Sequence, residues 1–215
     1  MIIAAYAGTG KTYFSKQIYD SVDYVCMPYK YYLPDGLVSF EEAEAIKADL
    51  GLELREEWPE NYIKAVINQY NEKRYVIIPP IASVLKALRV EEIPYILCYP
   101  EKTAKSEYER RYLERGNTIN FLDVFIGGWD SFIDSMEKDP GKYHIKMKTD
   151  EYLTDLYTRF EEIISKEETV MSFEISYDLQ TKANEIYRHT GYSCQTLFRR
   201  ELIRIAKTGK TPDYL

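Results

Sequence analysis

Met1-Ile2-Ile3-Ala4-Ala5-Tyr6-Ala7-Gly8-Thr9-Gly10-Lys11-Thr12 opens the chain and decides its fold. Met1 to Tyr6 is an apolar run of the length of one buried strand. It breaks at Ala7, and beyond Thr12 the residues Tyr13, Phe14 and Ile18 follow helical spacing. Strand, glycine-rich loop and helix, in that order, are the setting of a phosphate-binding loop of the G-x-x-x-x-G-K-[ST] kind. Glycine tolerates the dihedrals that aim the N–H groups of Gly8, Gly10 and Lys11 at phosphate oxygens. The helix N-terminus adds partial positive charge. Lys11 then supplies a point charge for β- and γ-phosphates, and the Thr12 hydroxyl can ligate Mg²⁺. Ala5 stands where the pattern has its first glycine, and an ordinary glycine-rich turn is the alternative.

Outward from this stretch, strands and helices alternate. Residues 23–27 read as a second strand, and 28–36 as a loop with turn chemistry at Pro34-Asp35-Gly36. Ser39 can cap a helix over 40–49. Pro59 suits a helix start, with Tyr62, Ile63, Val66, Ile67 and Tyr70 on one face. Residues 74–78 form a strand closed by Pro79-Pro80, and Ile81, Val84, Leu85 and Leu88 a helix face. Residues 94–99 form a strand closed by Pro100. A charged helix spans 103–115 and stops at Gly116. An amphipathic helix from Phe121 to Met136 carries Gly127-Gly128, where a kink is expected. Residues 143–148 alternate as a strand, and Thr149 can cap a helix through Leu153, Leu156, Tyr157, Phe160 and Ile164. Such alternation over 1–165 predicts an α/β fold whose mainly parallel sheet is covered on both faces. Ligands of such folds sit beyond the carboxyl ends of the strands.

The chain has 215 residues, 45% apolar, with a net charge of −7. The core can be sizeable, and the chain as a whole is no polyanion binder. Residues 1–169 carry 21 basic and 30 acidic side chains, and residues 170–215 carry 7 and 5. That shift points to a separate C-terminal module. Three cysteines, Cys26, Cys98 and Cys194, lack zinc or disulfide spacing and suit a reducing cytoplasm. No signal peptide or membrane span is expected. The 21 tyrosines suit half-buried packing, or stacking on bases and partners. His144 and His189 lie in no metal-ligand or triad pattern.

Arg111 and Arg115, four apart, share a helix face, with Arg110 about 100° round from Arg111. Guanidinium groups there can clamp a transferring phosphoryl group. A solvated helix with a Glu107–Arg111 pair is the alternative reading.

Residues 1–165 resemble P-loop nucleoside and nucleotide kinases, especially the small adenylate kinase-like ATP-binding proteins of bacteria and phages. The segments that carry this are Tyr6 to Thr12, Trp58-Pro59-Glu60-Asn61-Tyr62, Tyr75-Val76-Ile77-Ile78-Pro79, Tyr108 to Asn117, and Trp129. The resemblance implies a P-loop three-layer sandwich and an ATP-dependent phosphotransferase using Mg²⁺, whose acceptor is a small molecule such as a nucleoside monophosphate. It assigns Ala7, Gly8, Thr9, Gly10, Lys11, Thr12 and Tyr13 to the nucleotide, and Thr12 to the metal. Lys11, Arg111, Arg115 and Asp23 take the catalytic roles, and Asn61, Tyr62 and Arg110 the acceptor. Asp23 is the candidate base or metal-shell residue; the alternative is that it only begins a strand. The third strand ends in Ile78-Pro79 with no Walker-B acid, so a nucleotide-binding regulatory protein with little turnover is the second reading. A kinase of another small metabolite is a third.

Residues 170–215 read as a strand–helix–helix extension. Met171, Phe173 and Ile175 alternate with polar residues. One helix carries Leu179, Ala183, Ile186 and Tyr187, and another Leu197, Phe198, Leu202 and Ile205. The stretch is similar to ribbon–helix–helix domains of the antitoxin type, which implies a homodimer and DNA contact through the outward strand residues. Those residues, Ser172, Glu174 and Ser176, include no cation, which weighs against DNA. A helical extension packed on the core is the alternative.

Overall fold

The computed structural model describes residues 1–32 and 53–167, with five isolated positions nearer the C-terminus. The expected helix over 40–49 lies outside the described residues, as does the strand–helix–helix extension apart from those five positions.

Among the described residues, five strands form one sheet in the order β2-β3-β1-β4-β5, with every pairing parallel. They are β1 (Ile2–Ala5), β2 (Ser21–Asp23), β3 (Tyr75–Ile78), β4 (Tyr95–Pro100) and β5 (Tyr143–Met147). β1 is central and pairs Ile3 with Ile77 on one side and Ile96 on the other. It is buried throughout, as are β3 and β4. That explains their near-continuous apolar sequences.

Alternate residues feed two cores. Ile2, Ala4, Val76, Ile78 and Leu97 face α3 (Glu60–Glu72), α4 (Ala82–Val90), α5 (Lys105–Glu114) and α7 (Trp129–Glu137). Ile3, Ala5, Ile77, Ile96 and Cys98 face α1 (Lys11–Gln17) and α8 (Tyr157–Glu167). The chain leaves β1 toward one edge, and leaves β3 and β4 toward the other. Right-handed connections then put α1 and α4 on opposite faces. The crevice opened by that divergence lies at the carboxyl end of β1, where the glycine-rich loop begins.

Four boundaries differ from the sequence expectation. β2 is Ser21–Asp23 rather than 23–27, because the backbone leaves the ladder once the Tyr24 N–H has donated to Ile77 O at 2.8 Å. The Tyr24 carbonyl instead accepts the Tyr62 hydroxyl at 2.5 Å. Asp23 therefore ends a strand rather than beginning one. The loop expected at 28–36 starts as a one-turn helix, α2 (Met27–Lys30), since proline is tolerated in a first helical turn. Gly127-Gly128 separates two helices, α6 (Ile119–Phe125) and α7. The break lets Trp129 bury fully on the sheet, its Nε1–H donating to Lys102 O at 3.0 Å. Thr149 does not cap the last helix. A 3₁₀ turn (Leu153–Leu156) precedes α8, and Tyr152 N–H donates to Asp155 Oδ2 at 2.8 Å. No helix among the described residues is long and apolar enough to cross a membrane.

Candidate functional site

The loop after β1 is held open by glycine. Gly8 and Gly10 have φ of +79° and +89°, values that an L side chain avoids. Close packing adds a second demand at Gly8, where a Cβ would lie 2.8 Å from Tyr112 Cε1 and 3.2 Å from Tyr108 Cδ1.

Every carbonyl of the loop has a donor from the protein. Lys11 Nζ donates to Ala5 O and Tyr6 O at 3.3 and 3.0 Å, and the buried Thr9 hydroxyl to Tyr6 O at 2.8 Å. The Tyr112 hydroxyl donates to Ala7 O at 2.9 Å, and Arg111 Nη1 to Gly8 O at 3.4 Å. Leu153 N–H donates to Thr9 O and Phe14 N–H to Gly10 O. In a trans peptide the C=O and the next N–H point in opposite directions. Anchoring the carbonyls of 7, 8 and 9 therefore turns the N–H groups of 8, 9 and 10 the other way. Among the described residues, the N–H groups of Ala7, Gly8, Thr9, Gly10 and Thr12 meet no protein acceptor. A run of unspent main-chain donors beside left-handed glycines and a lysine is an anion-binding concavity.

Asp23 stands beside it. The Thr12 hydroxyl donates to Asp23 Oδ2 at 2.6 Å, joining the start of α1 to the end of β2. Asp23 Oδ1 is buried and has no hydrogen-bond partner among the described residues. A carboxylate oxygen left in that state has a strong unmet demand for a cation or donor. Among the described residues no group of three His, Cys, Asp or Glu side chains forms a self-sufficient metal cluster.

Behind Asp23 lies an aromatic seam. Tyr62 stacks on Tyr24 (5.9 Å, 14°) and on Trp58 (5.8 Å, 29°), and the Tyr24 and Tyr29 hydroxyls share a short hydrogen bond. Asn61 Nδ2 donates to Tyr29 O at 2.7 Å, and Asn61 Oδ1 accepts from Tyr62 N–H at 2.6 Å. Of the three residues expected at the acceptor, Asn61 thus ties α3 to α2, and Tyr62 ties it to the segment that follows β2. Burial pushes the Tyr62 phenol well above its ordinary range, so it stays a neutral donor.

The arginines part company. Arg111 is 5% exposed. Its Nε donates to Glu107 at 2.9 Å and its Nη2 to Thr149 O at 2.8 Å; Nη1 reaches Gly8 O and Glu151 O. Its guanidinium lies 4.0 Å from the Tyr152 ring centroid and 4.8 Å from that of Tyr108. Arg110 is exposed and spread over Glu107 and Glu114. Those bonds, from Arg110 first and Arg111 second, pull the Glu107 carboxyl down to about 2. Arg115, just past the end of α5, and Tyr13, on the first turn of α1, are exposed. The structure therefore brings Lys11, Thr12, Asp23 and Arg111 around the loop, and leaves Arg110 on the outer face of α5.

Tyr108, Tyr112 and Tyr152 were not foreseen at the site. The spacing of Tyr108 and Tyr112 around Arg111, one helical turn apart, was the available signal. Nothing in the local sequence ties Tyr152 to a loop 140 residues earlier.

Neither the profiles of known protein families nor the sequences of curated proteins give a match to this chain.

Proposed function

We propose that the protein binds the triphosphate of ATP in the loop from Ala7 to Thr12 and transfers its γ-phosphoryl group to a small acceptor. The parallel α/β sandwich is then of the P-loop kinase type. The observation that carries this reading is the division of labour in the loop: all its carbonyls are anchored by protein donors, while five of its N–H groups are unspent. Those donors and the Lys11 ammonium hold the phosphate chain.

The buried, unpartnered Asp23 Oδ1 and the Thr12 hydroxyl fit a Mg²⁺ ion, which characteristically takes one or two protein oxygens, waters and substrate phosphates. Bound there, the ion would neutralise charge on the phosphates. Because the Thr12 proton goes to Asp23, the hydroxyl oxygen keeps lone pairs for a cation. Asp23 from β2 thus offers the carboxylate that β3, ending in Ile78-Pro79, lacks.

The described residues between the end of α1 and the start of α3, 20–32 and 53–62, carry six carboxylates and two basic side chains. That charge weighs against a nucleoside monophosphate and toward an uncharged or cationic hydroxyl compound.

The test is thermal unfolding with ATP and Mg²⁺. Wild type should be stabilised and Lys11→Ala should not; equal shifts in both remove the assignment. ADP formation is then followed with nucleosides, nucleoside monophosphates and amino alcohols as acceptors. A second reading, a nucleotide-binding regulatory protein, is favoured by the engagement of Arg111 with the protein itself. Tight ATP binding without ADP formation from any acceptor would decide for it. Homodimerisation through residues 170–215 remains part of that proposal, read by solution mass.

A further inference from the structure

Arg111 is the most heavily engaged cation at the site, and its partners are informative. Three of its four acceptors are main-chain carbonyls: Gly8 in the glycine-rich loop, and Thr149 and Glu151 in the segment after β5. The fourth is Glu107, one turn earlier on α5. Tyr108 and Tyr152 lie against its guanidinium. Four of the five N–H donors of a guanidinium are thus drawn, and the side chain is nearly closed off from solvent. The same segment after β5 is tied to the loop a second time, through Leu153 N–H and Thr9 O at 3.0 Å. Tyr112, the next residue on α5, holds Ala7 O.

A phosphoryl clamp needs donors free to meet charge as it develops. A guanidinium already shared among three carbonyls and a carboxylate has a different task. We infer that Arg111 is a positioning residue for the phosphate-binding loop, setting the Gly8 peptide so that the Thr9 N–H faces the anion, and is not the group that clamps the transferring phosphoryl. Tyr112 does the same for the Ala7 peptide and the Gly8 N–H. α5 and the segment after β5 act as the mould in which the loop sets. This inference rests on the reading that the loop holds a phosphate chain.

Arginine is specifically suited to this. Its planar fork spans several acceptors at fixed angles, whereas a lysine ammonium is a compact point charge on a flexible stem. Charge alone therefore does not replace it.

The experiment measures ATP affinity by calorimetry for wild type, Arg111→Ala, Arg111→Lys and Tyr112→Phe. All are held at a temperature where circular dichroism shows them folded. The ³¹P shift of the bound β-phosphate is recorded in parallel. The expected result is a tenfold or greater loss of ATP affinity in Arg111→Ala and Arg111→Lys, with an altered β-phosphate shift. Millimolar guanidinium ion, well below denaturing levels, should restore part of the affinity in Arg111→Ala. Tyr112→Phe, which removes a single hydroxyl, should lose affinity in the same sense. If the arginine variants do not fold, Tyr112→Phe decides. Unchanged affinity and an unchanged β-phosphate shift in the folded variants, with only turnover reduced, would overturn the inference and return Arg111 to the clamp. Failure of wild type to bind ATP would instead overturn the proposed function.

Discussion

Gly8→Ala is the perturbation that most directly probes how the loop is built. Gly8 sits at φ +79°, and an L residue held there costs about 1–2 kcal/mol. The new methyl would also lie 2.8 Å from Tyr112 Cε1, and 3.2 and 3.4 Å from Tyr108 Cδ1 and Cε1. Neither ring is free to give way. Tyr112 is tethered by its hydroxyl to Ala7 O at 2.9 Å and meets Phe121 edge-on at 5.0 Å. Tyr108 is fully buried against Trp129, their centroids 5.2 Å apart. Overpacking of that kind adds about 1–3 kcal/mol. Together the two effects destabilise the protein by about 2–5 kcal/mol. At about 2–4 °C per kcal/mol for a chain of this size, the melting temperature without ligand should fall by roughly 4–20 °C. Calorimetric and denaturant unfolding of Gly8→Ala, Tyr112→Ala and the double variant separate the two causes. Opening space at Tyr112 should recover the packing part and leave the backbone part. A Gly8→Ala protein within about 0.5 kcal/mol of wild type, the range of an inert surface change, would refute the account. So would a cost unchanged by Tyr112→Ala.

Two further outcomes follow from the site. Asp23→Asn keeps an acceptor for Thr12 and puts an uncharged amide NH2 where the unpartnered carboxylate oxygen was, so no ligand is left there for a cation. The extra stabilisation that Mg²⁺ adds to ATP should vanish. Thermal shifts with ATP, with and without Mg²⁺, check this, and an undiminished Mg²⁺ effect removes Asp23 from the metal site. The Glu107 carboxyl is held at about 2 against an ordinary 4.5 by Arg110 and Arg111. A depressed folded-state value contributes stability that is fully present above about 4.5 and lost as pH falls toward 2. Glu107→Gln should flatten the acid limb of stability across that window, which denaturant titrations at several pH values measure. An acid limb identical to wild type would count against the pairing.

Most of the sheet was legible in the sequence. β1, β3 and β4 are buried on both faces, so their residues must be apolar at nearly every position, and such runs stand out. β2 did not, because an edge strand of three half-buried residues leaves no pattern. The neighbouring Tyr24–Met27 run looked more like a strand, but its apolar character serves the aromatic seam with Trp58 and Tyr62. The glycine-rich loop was legible because its glycines answer a local demand for positive φ. Thr12 and Lys11 were legible because they adjoin it.

The roles of the arginines were not. Arg110 and Arg111 are neighbours of equal charge in a sequence of charged residues, and helical periodicity separates them only by direction. Packing decided the rest. Tyr108 and Tyr152 lie against one guanidinium, and the other stays in solvent. The sequence by itself determined what depends on neighbours along the chain: the strand–loop–helix, the apolar strands, and the helix end at Gly116. Only the tertiary structure decided what depends on residues far apart in number, including Asp23 against Thr12 and Arg111 against Gly8, Thr149 and Glu151. Those contacts exist because parallel strands bring their carboxyl ends to one edge, and sequence spacing carries no record of which side chains meet there.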